Sequence, residues 1–243
     1  MPENKSNPKV LALFPAYNEE GKIGKAVSSI PKDVVSEVLV IDDGSTDKTL
    51  WQAQEAGAKV IRNLKRQGVG SVIRQGIEYA QGNNFSIIVI LAGNNKDDGR
   101  QIPRLIEPII KGDYDFVQGS RFIKEGSYGR MPFYRLIATR YIHPTIFSFF
   151  ALKRITDSTN GFRAIRVDIF KDKRIDLNQD WLNNYELEPY LFFKVIELGY
   201  RFKEVPVSKI YPPGNLGYTK MRPVIDWWSI LKPILLLGLK IKR

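Results

Sequence analysis

Glu37-Val-Leu-Val-Ile-Asp-Asp-Gly-Ser-Thr-Asp47 decides the fold class. Glu37 to Ile41 is β-branched and apolar enough for a strand, and Asp42-Asp43-Gly44-Ser45 is a turn-rich stop. Asp47 to Ala56 then has helical spacing. The same unit recurs on both sides. Upstream, the apolar run Lys9 to Phe14 is broken by Pro15-Ala16-Tyr17-Asn18-Glu19-Glu20, and Ile23 to Ile30 follows with helical spacing. Downstream come a short strand (Lys59 to Ile61), a helix (Val69 to Ala80) stopped by Gly82-Asn83-Asn84, and the most apolar strand (Phe85 to Leu91), ended by Gly93-Asn94-Asn95. A helix (Ile102 to Ile110) and a strand (Asp115 to Gln118) close the series. The alternation predicts right-handed crossovers and a mainly parallel α/β sheet with helices on both faces. Ligands of such sheets bind beyond the carboxyl ends of the strands. Those ends hold Tyr17, Asn18, Asp42, Asp43, Asn94 and Arg121.

The second half is less regular. Met131 to Leu152 is rich in aromatics, and Pro144 is expected to interrupt any helix there. Glu186 to Leu198 reads as a helix and Phe202 to Val207 as a strand; Tyr211 to Gly217 is a loop with two prolines and two glycines. Trp227 to Leu239 is a final amphipathic stretch containing Pro233. The division expected is a main domain over 1–219 and a basic, aromatic and apolar tail over 220–243.

The 243 residues include 43% hydrophobic and 26% charged side chains, enough for a core and incompatible with a disordered polymer. The absence of cysteine excludes disulfides, thiolate metal sites and a cysteine nucleophile. One histidine, His143, leaves little room for a histidine metal site or a Ser-His-Asp triad, and it reads as structural. Met1 to Lys9 is polar and carries no signal-peptide core, and no apolar run approaches a membrane span. The net charge of +11 is unevenly spread: residues 1–120 are neutral, 121–174 carry +8, 175–219 carry −2 and 220–243 carry +5. Two basic patches in the second half point to an anionic ligand or surface.

Each candidate motif also has a plain structural reading. Asp42 to Asp47 can cap the following helix, and Pro15 to Glu20 can be a mere connection. Gln67-Gly68-Val69-Gly70 is glycine-rich but is not GxGxxG, so a dinucleotide fold is disfavoured. Glu186 and Glu188 can be solvated charges at a helix start, and Asp157 to Arg163 a turn with an ion pair.

Taken together and in order, the motifs are more specific. Phe14-Pro-Ala-Tyr-Asn-Glu-Glu20, Val40-Ile-Asp-Asp-Gly-Ser-Thr-Asp47, Gln118-Gly-Ser-Arg-Phe122, Asp157-Ser-Thr-Asn-Gly-Phe-Arg163 and Tyr185-Glu-Leu-Glu-Pro189 run in sequence. The series resembles the inverting family 2 glycosyltransferases of the GT-A, Rossmann-like fold. Within that family it looks most like the dolichyl-phosphate mannose synthase and polyprenyl-phosphate sugar transferase branch. The resemblance ends near Gly217-Tyr-Thr-Lys220.

The resemblance implies site roles. Pro15, Tyr17, Asn18 and Glu19, with Ile41, Asp42, Asp43 and Gly68, would form the nucleotide site. Asn94 and Lys96 would lie along the nucleotide-sugar. Arg121 would face the diphosphate, with Lys220 closing on it from a loop; fixed positive charge is what a departing diphosphate needs. Asp157, Asn160 and Arg163 would lie on the acceptor side. Glu186 or Glu188 would be a base for a hydroxyl acceptor, whereas a phosphate acceptor is already anionic and needs none.

Two departures stand out. The family's fourth strand ends in Asp-x-Asp, which holds a divalent cation; here Ala92-Gly93-Asn94 stands there. A basic residue expected shortly before Lys220 is replaced by Tyr211-Pro212-Pro213-Gly214. Use of Mg²⁺ or Mn²⁺ is therefore open: Asn94, Asp97 and Asp98 are candidate ligands, and Lys96 is the alternative, a fixed charge against the diphosphate.

The expectation is transfer of a sugar from a nucleotide-sugar to a polyprenyl phosphate at the cytosolic membrane face, by a peripheral protein drawn to anionic lipid by its basic, aromatic segments. The alternatives are transfer to a hydroxyl of a glycan, or a non-catalytic nucleotide-sugar-binding protein. Nucleic acid is not an expected partner, because no binding motif accompanies the charge.

Overall fold

The computed structural model describes residues 8–211 and 225–242. Its centre is a seven-stranded sheet in the order β3-β2-β1-β4-β6-β5-β7. The strands are β1 (Val10–Ala16), β2 (Glu37–Asp42), β3 (Lys59–Arg62), β4 (Ile87–Ile90), β5 (Phe116–Ser120), β6 (Arg163–Arg166) and β7 (Phe202–Pro206). Six run parallel, and β6 runs antiparallel between β4 and β5. The helices are α1 (Ile23–Ser28), α2 (Thr49–Glu55), α3 (Val69–Gly82), α4 (Ile102–Ile110), α5 (Phe133–Ile137), α6 (His143–Ala151), α7 (Leu187–Glu197) and α8 (Ile225–Gly238).

Central parallel strands are buried on both faces, so they read as continuous apolar runs. Their alternation sorts the core into two layers. Leu11 and Leu13 of β1 and Ile88 and Ile90 of β4 pack with Val72, Ile73 and Ile77 of α3 and with Leu191 and Val195 of α7. Ala12, Phe14, Ile87 and Val89 face Ile23, Ala26, Ile102 and Leu105 on the other side. This is the expected α/β fold of GT-A type. Ile234 and Leu237 of α8 are buried in the first layer, so the helical part of the 220–243 segment shares the main core.

Two local expectations are corrected. The turn motif of the sequence reading ends at Arg163 with no strand expected after it, yet Arg163–Arg166 forms β6. Four residues without a flanking helix give too short a period to recognise, and only the two neighbouring strands make it a strand. Pro144 does not end the helical run either. The chain passes from α5 through a π turn at Ala138–Ile142 into α6, with Pro144 in the first turn, where its missing N–H has no intrahelical duty.

Candidate active site

The order of strands outward from β1 reverses at the β1–β4 boundary, which opens a crevice at their carboxyl ends. A cavity of about 300 Å³ lies there. Pro15 and Ala16 at the end of β1, Tyr17 just after it, and Leu91 to Asn94 after β4 line it. Because β6 is antiparallel, its beginning meets those ends: Arg163 pairs in register with Ile90 and with Gln118. The segment 157–163 is thereby carried to the same rim. Lys209 and Tyr211 arrive beyond β7, and Tyr185 and Glu188 from the start of α7.

Of the residues named from the sequence, Pro15, Tyr17, Glu19, Asp43, Asn94, Lys96, Arg121, Arg163 and Glu188 line this cavity. Others stand behind them. Asn18 holds two loops together, its Oδ1 accepting from the Thr46 N–H at 2.9 Å and its own N–H donating to Ser45 Oγ at 2.9 Å. Ile41 is in the core. Asp42 is fully buried, accepts from the Ser45 N–H at 3.1 Å and lies 3.5 Å from Arg62. Asp43 shapes the next loop: Oδ1 takes the Gln67 N–H at 2.8 Å and Asn63 Nδ2 at 3.2 Å, and Oδ2 takes the Gly68 N–H at 2.9 Å. Lys220 lies outside the described residues.

The glycines of Gln67-Gly-Val-Gly70 prove to be packing devices. Gly68 adopts a left-handed φ of +100°, and a Cβ at Gly70 would strike the Leu182 carbonyl oxygen. This close approach lets Ser71 N–H donate to the Asn183 carbonyl at 3.1 Å. It seats the segment leading to Tyr185 and Glu188 against α3.

Asp157, Asn160 and Arg163, expected on the acceptor side, form a buried polar frame. Asp157 binds Arg121 twice, at 2.7 Å to Nε and 2.7 Å to Nη2, and accepts the Arg121 N–H at 3.0 Å. Arg121 in turn reaches Thr159 Oγ1 at 2.8 Å and the Tyr211 hydroxyl at 3.3 Å. Burial opposes the guanidinium charge, but Asp157 outweighs it and raises the Arg121 pKa. Asn160 donates to the Gly119 carbonyl at 2.9 Å and accepts from Lys209 at 3.0 Å. Arg163 is fully buried; burial lowers its pKa, opposed by Glu188, whose carboxylate lies 3.2 Å away. Glu186 is buried away from the cavity lining, and its Oε2 has no hydrogen-bond partner among the described residues. His143 bridges this frame to the helices. The Ile230 carbonyl can only accept, so Nε2 carries the proton (3.3 Å) and Nδ1 accepts from Ser158 Oγ at 2.7 Å.

Several lining residues have no site role in the sequence reading: Lys22, Arg66, Arg135, Tyr185, Lys209 and Tyr211. Arg66 stacks 4.4 Å over the Tyr17 ring, and Lys22 sits 3.4 Å from Glu19. No local pattern marks the basic residues among them as site residues. Among the described residues, seven basic and three acidic side chains line the cavity, a surplus suited to a polyanion.

Among the described residues, the three candidate ligands do not fit the divalent cation implied by the resemblance. Asp97 Oδ1 is 2.7 Å from Lys209 Nζ, and its Oδ2 accepts the Ala92 N–H at 3.0 Å. Both Asp98 oxygens are held by Arg100, at 2.8 and 2.9 Å. Asn94 Oδ1 accepts the Lys96 N–H at 3.2 Å. Among the described residues no group of three His, Asp or Glu side chains converges.

Comparison with known proteins agrees with this architecture. The chain is 33% identical over 178 residues to dolichol-phosphate mannosyltransferase of Pyrococcus furiosus, covering 70% of this chain and 49%, about half, of that one. It is 26% identical over 223 residues to polyprenol monophosphomannose synthase of Mycolicibacterium smegmatis, covering 88% and 81%. The crystal structure of glucosyl-3-phosphoglycerate synthase from Mycobacterium tuberculosis with Mg²⁺ and uridine diphosphate superposes with a TM-score of 0.71 at 18% identity, covering 97% and 81%, a likeness of fold. Residues 12–173, two-thirds of the chain, match the family described as Glycosyl transferase family 2. The chain belongs to glycosyl transferase family 2.

Proposed function

We propose that this glycosyltransferase moves a sugar from a nucleotide-sugar to a polyprenyl phosphate, with inversion, while bound to the inner face of an anionic membrane. One observation carries the acceptor: the helices that border the cavity are also the most apolar part of the surface. Ten of the fourteen exposed large apolar side chains among the described residues fall within 133–152 and 227–241, including Phe133, Phe149, Leu152 and Trp228. Tyr134 of α5 stacks on Trp227 of α8 at 5.9 Å. Arg135 and Ile230, from these same helices, line the cavity. Arg140, Lys153, Arg154, Lys240 and Lys242 accompany them, and aromatics with basic residues suit a headgroup interface. Among the described residues no helix is long and apolar enough to cross a membrane. The relatives' names, dolichol-phosphate mannosyltransferase and polyprenol monophosphomannose synthase, support the same acceptor class.

In the reaction, a lone pair of the acceptor phosphate oxygen attacks the sugar C1 from the face opposite the leaving group. The bond from C1 to the diphosphate oxygen breaks, and its electron pair leaves with the nucleoside diphosphate. No proton needs to move, which agrees with Glu188 being engaged by Arg163. Rate would come from aligning two anions and from fixed positive charge at the leaving group.

Two results test the reading. The protein should sediment with vesicles containing phosphatidylserine and dissociate as salt is raised, because the attraction is screened; equal binding to neutral vesicles at every salt concentration would count against it. Sugar label from the donor should enter an organic-extractable product when polyprenyl phosphate is supplied; label found only in a water-soluble glycan would point to a hydroxyl acceptor.

The donor site gives a separate test. Glu19→Ala or Asp43→Ala should weaken nucleoside diphosphate binding by about 1–3 kcal/mol, the first by removing a lining carboxylate and the second by releasing the 63–68 loop. Unchanged affinity in both folded variants would displace the nucleotide from this end of the cavity.

A further inference from the structure

The structure assigns the diphosphate-anchoring job of a divalent cation to the Lys96 ammonium, backed by the Asp97–Lys209 pair, so that the donor binds without metal. This rests on the nucleotide-sugar reading above. Lys96 is 6% exposed, lines the cavity beside Ala92 to Asn94, and so stands where the family's acidic pair would deliver its cation. Its position is fixed from two sides. The Ile210 N–H donates to the Lys96 carbonyl at 2.8 Å, and the Lys96 ammonium lies 5.0 Å from the centre of the Tyr211 ring.

The next carboxylate along the chain, Asp97, is held by internal partners. Asp97 is buried, and a cation reaching it would have to displace the Lys209 ammonium from Oδ1 and the Ala92 amide from Oδ2. Lys209 is held in turn by Asn160 at 3.0 Å. Asp97 and Asp98 are thus both held by basic partners within the chain, and basic side chains outnumber acidic ones in the cavity lining seven to three. Arg135 and Lys209 line the same cavity as Lys96, and a diphosphate bound among them would relieve the repulsion between these cations.

The experiment measures Kd for UDP and for GDP by calorimetry, in EDTA and with added Mn²⁺, for the wild type, Lys96→Met, Lys96→Arg and Asp97→Asn. At least one diphosphate should bind the wild type equally with and without metal, within about twofold, while Lys96→Met loses at least about tenfold, ~1.4 kcal/mol. Mn²⁺ should not rescue Lys96→Met, and Lys96→Arg should recover most of the affinity. The inference is overturned if Mn²⁺ strengthens wild-type binding about tenfold or more and Asp97→Asn removes that gain. Metal-free binding that is indifferent to Lys96→Met removes the lysine from the role. The wild-type comparison needs no variant to fold. If neither diphosphate binds under any condition, the nucleotide reading of the cavity falls, and this inference with it.

Discussion

Asp157→Ala is expected to destabilise the protein by about 3–5 kcal/mol, because it leaves the Arg121 guanidinium buried and unpaired. Arg121 is 2% exposed and Asp157 fully buried, and three hydrogen bonds join them. Water cannot replace the lost carboxylate at that depth. The midpoint of thermal unfolding should fall by roughly 6–20 °C, given about 2–4 °C per kcal/mol for a chain of this size. The double variant Arg121→Met/Asp157→Leu should be markedly more stable than Asp157→Ala, since the cost of the single change is the orphaned charge. A loss under about 1 kcal/mol for Asp157→Ala would show that the pair does not hold the frame. The consequence for function is geometric: Arg121 also holds Thr159 and Tyr211, both at the cavity wall.

Acid should destabilise the protein through His143. Burial pushes its imidazole from 6.5 down to about 4. Between those values the unfolded chain binds a proton that the folded chain refuses, so stability falls as pH drops. The contribution is fully present above pH 6.5 and is lost as pH approaches 4; at 1.36 kcal/mol per pKa unit it amounts to roughly 3 kcal/mol. Asp157, the charged group that favours protonation, is too strongly paired with Arg121 to reverse the effect. Urea unfolding at pH 7 and at pH 4.5 checks this, with His143→Gln as the reference. The wild type should lose about 2–3 kcal/mol more than the variant on acidification. Parallel losses in the two proteins would mean that another group carries the acid sensitivity. Because His143 links Ser158 to the Ile230 carbonyl of α8, its protonation would loosen the side of the cavity that faces the exposed aromatic helices.

How much of this was legible beforehand differs by element. The parallel half was readable because its signals are local: Leu11 to Phe14, Val38 to Ile41 and Ile87 to Leu91 are apolar runs, each stopped by its own turn residues. Tyr17, Glu19, Asp43 and Asn94 could be placed from position alone, since a parallel sheet collects its carboxyl ends on one edge. Arg163 and Glu188 were nameable only through ordered motifs, and their contact with each other was invisible. Pro144 misled, because a π turn can absorb a proline at the start of a following helix.

The sequence by itself determined the α/β class, the order of strands and helices through Gln118, the edge of the sheet that carries the chemistry, and the loss of the acidic pair at Ala92 and Asn94. Those properties follow from periodicity, turn chemistry and residue identity over short spans. Tertiary structure alone decided that β6 inserts antiparallel between β4 and β5, bringing 157–163 to the rim. It also decided that Lys209 closes on Asp97 from 112 residues away, and that Arg121 spends its charge on Asp157. Such pairings depend on which strands become neighbours. A side chain's partner, its burial and hence its charge state are properties of that neighbourhood, and nothing in the local spacing encodes them.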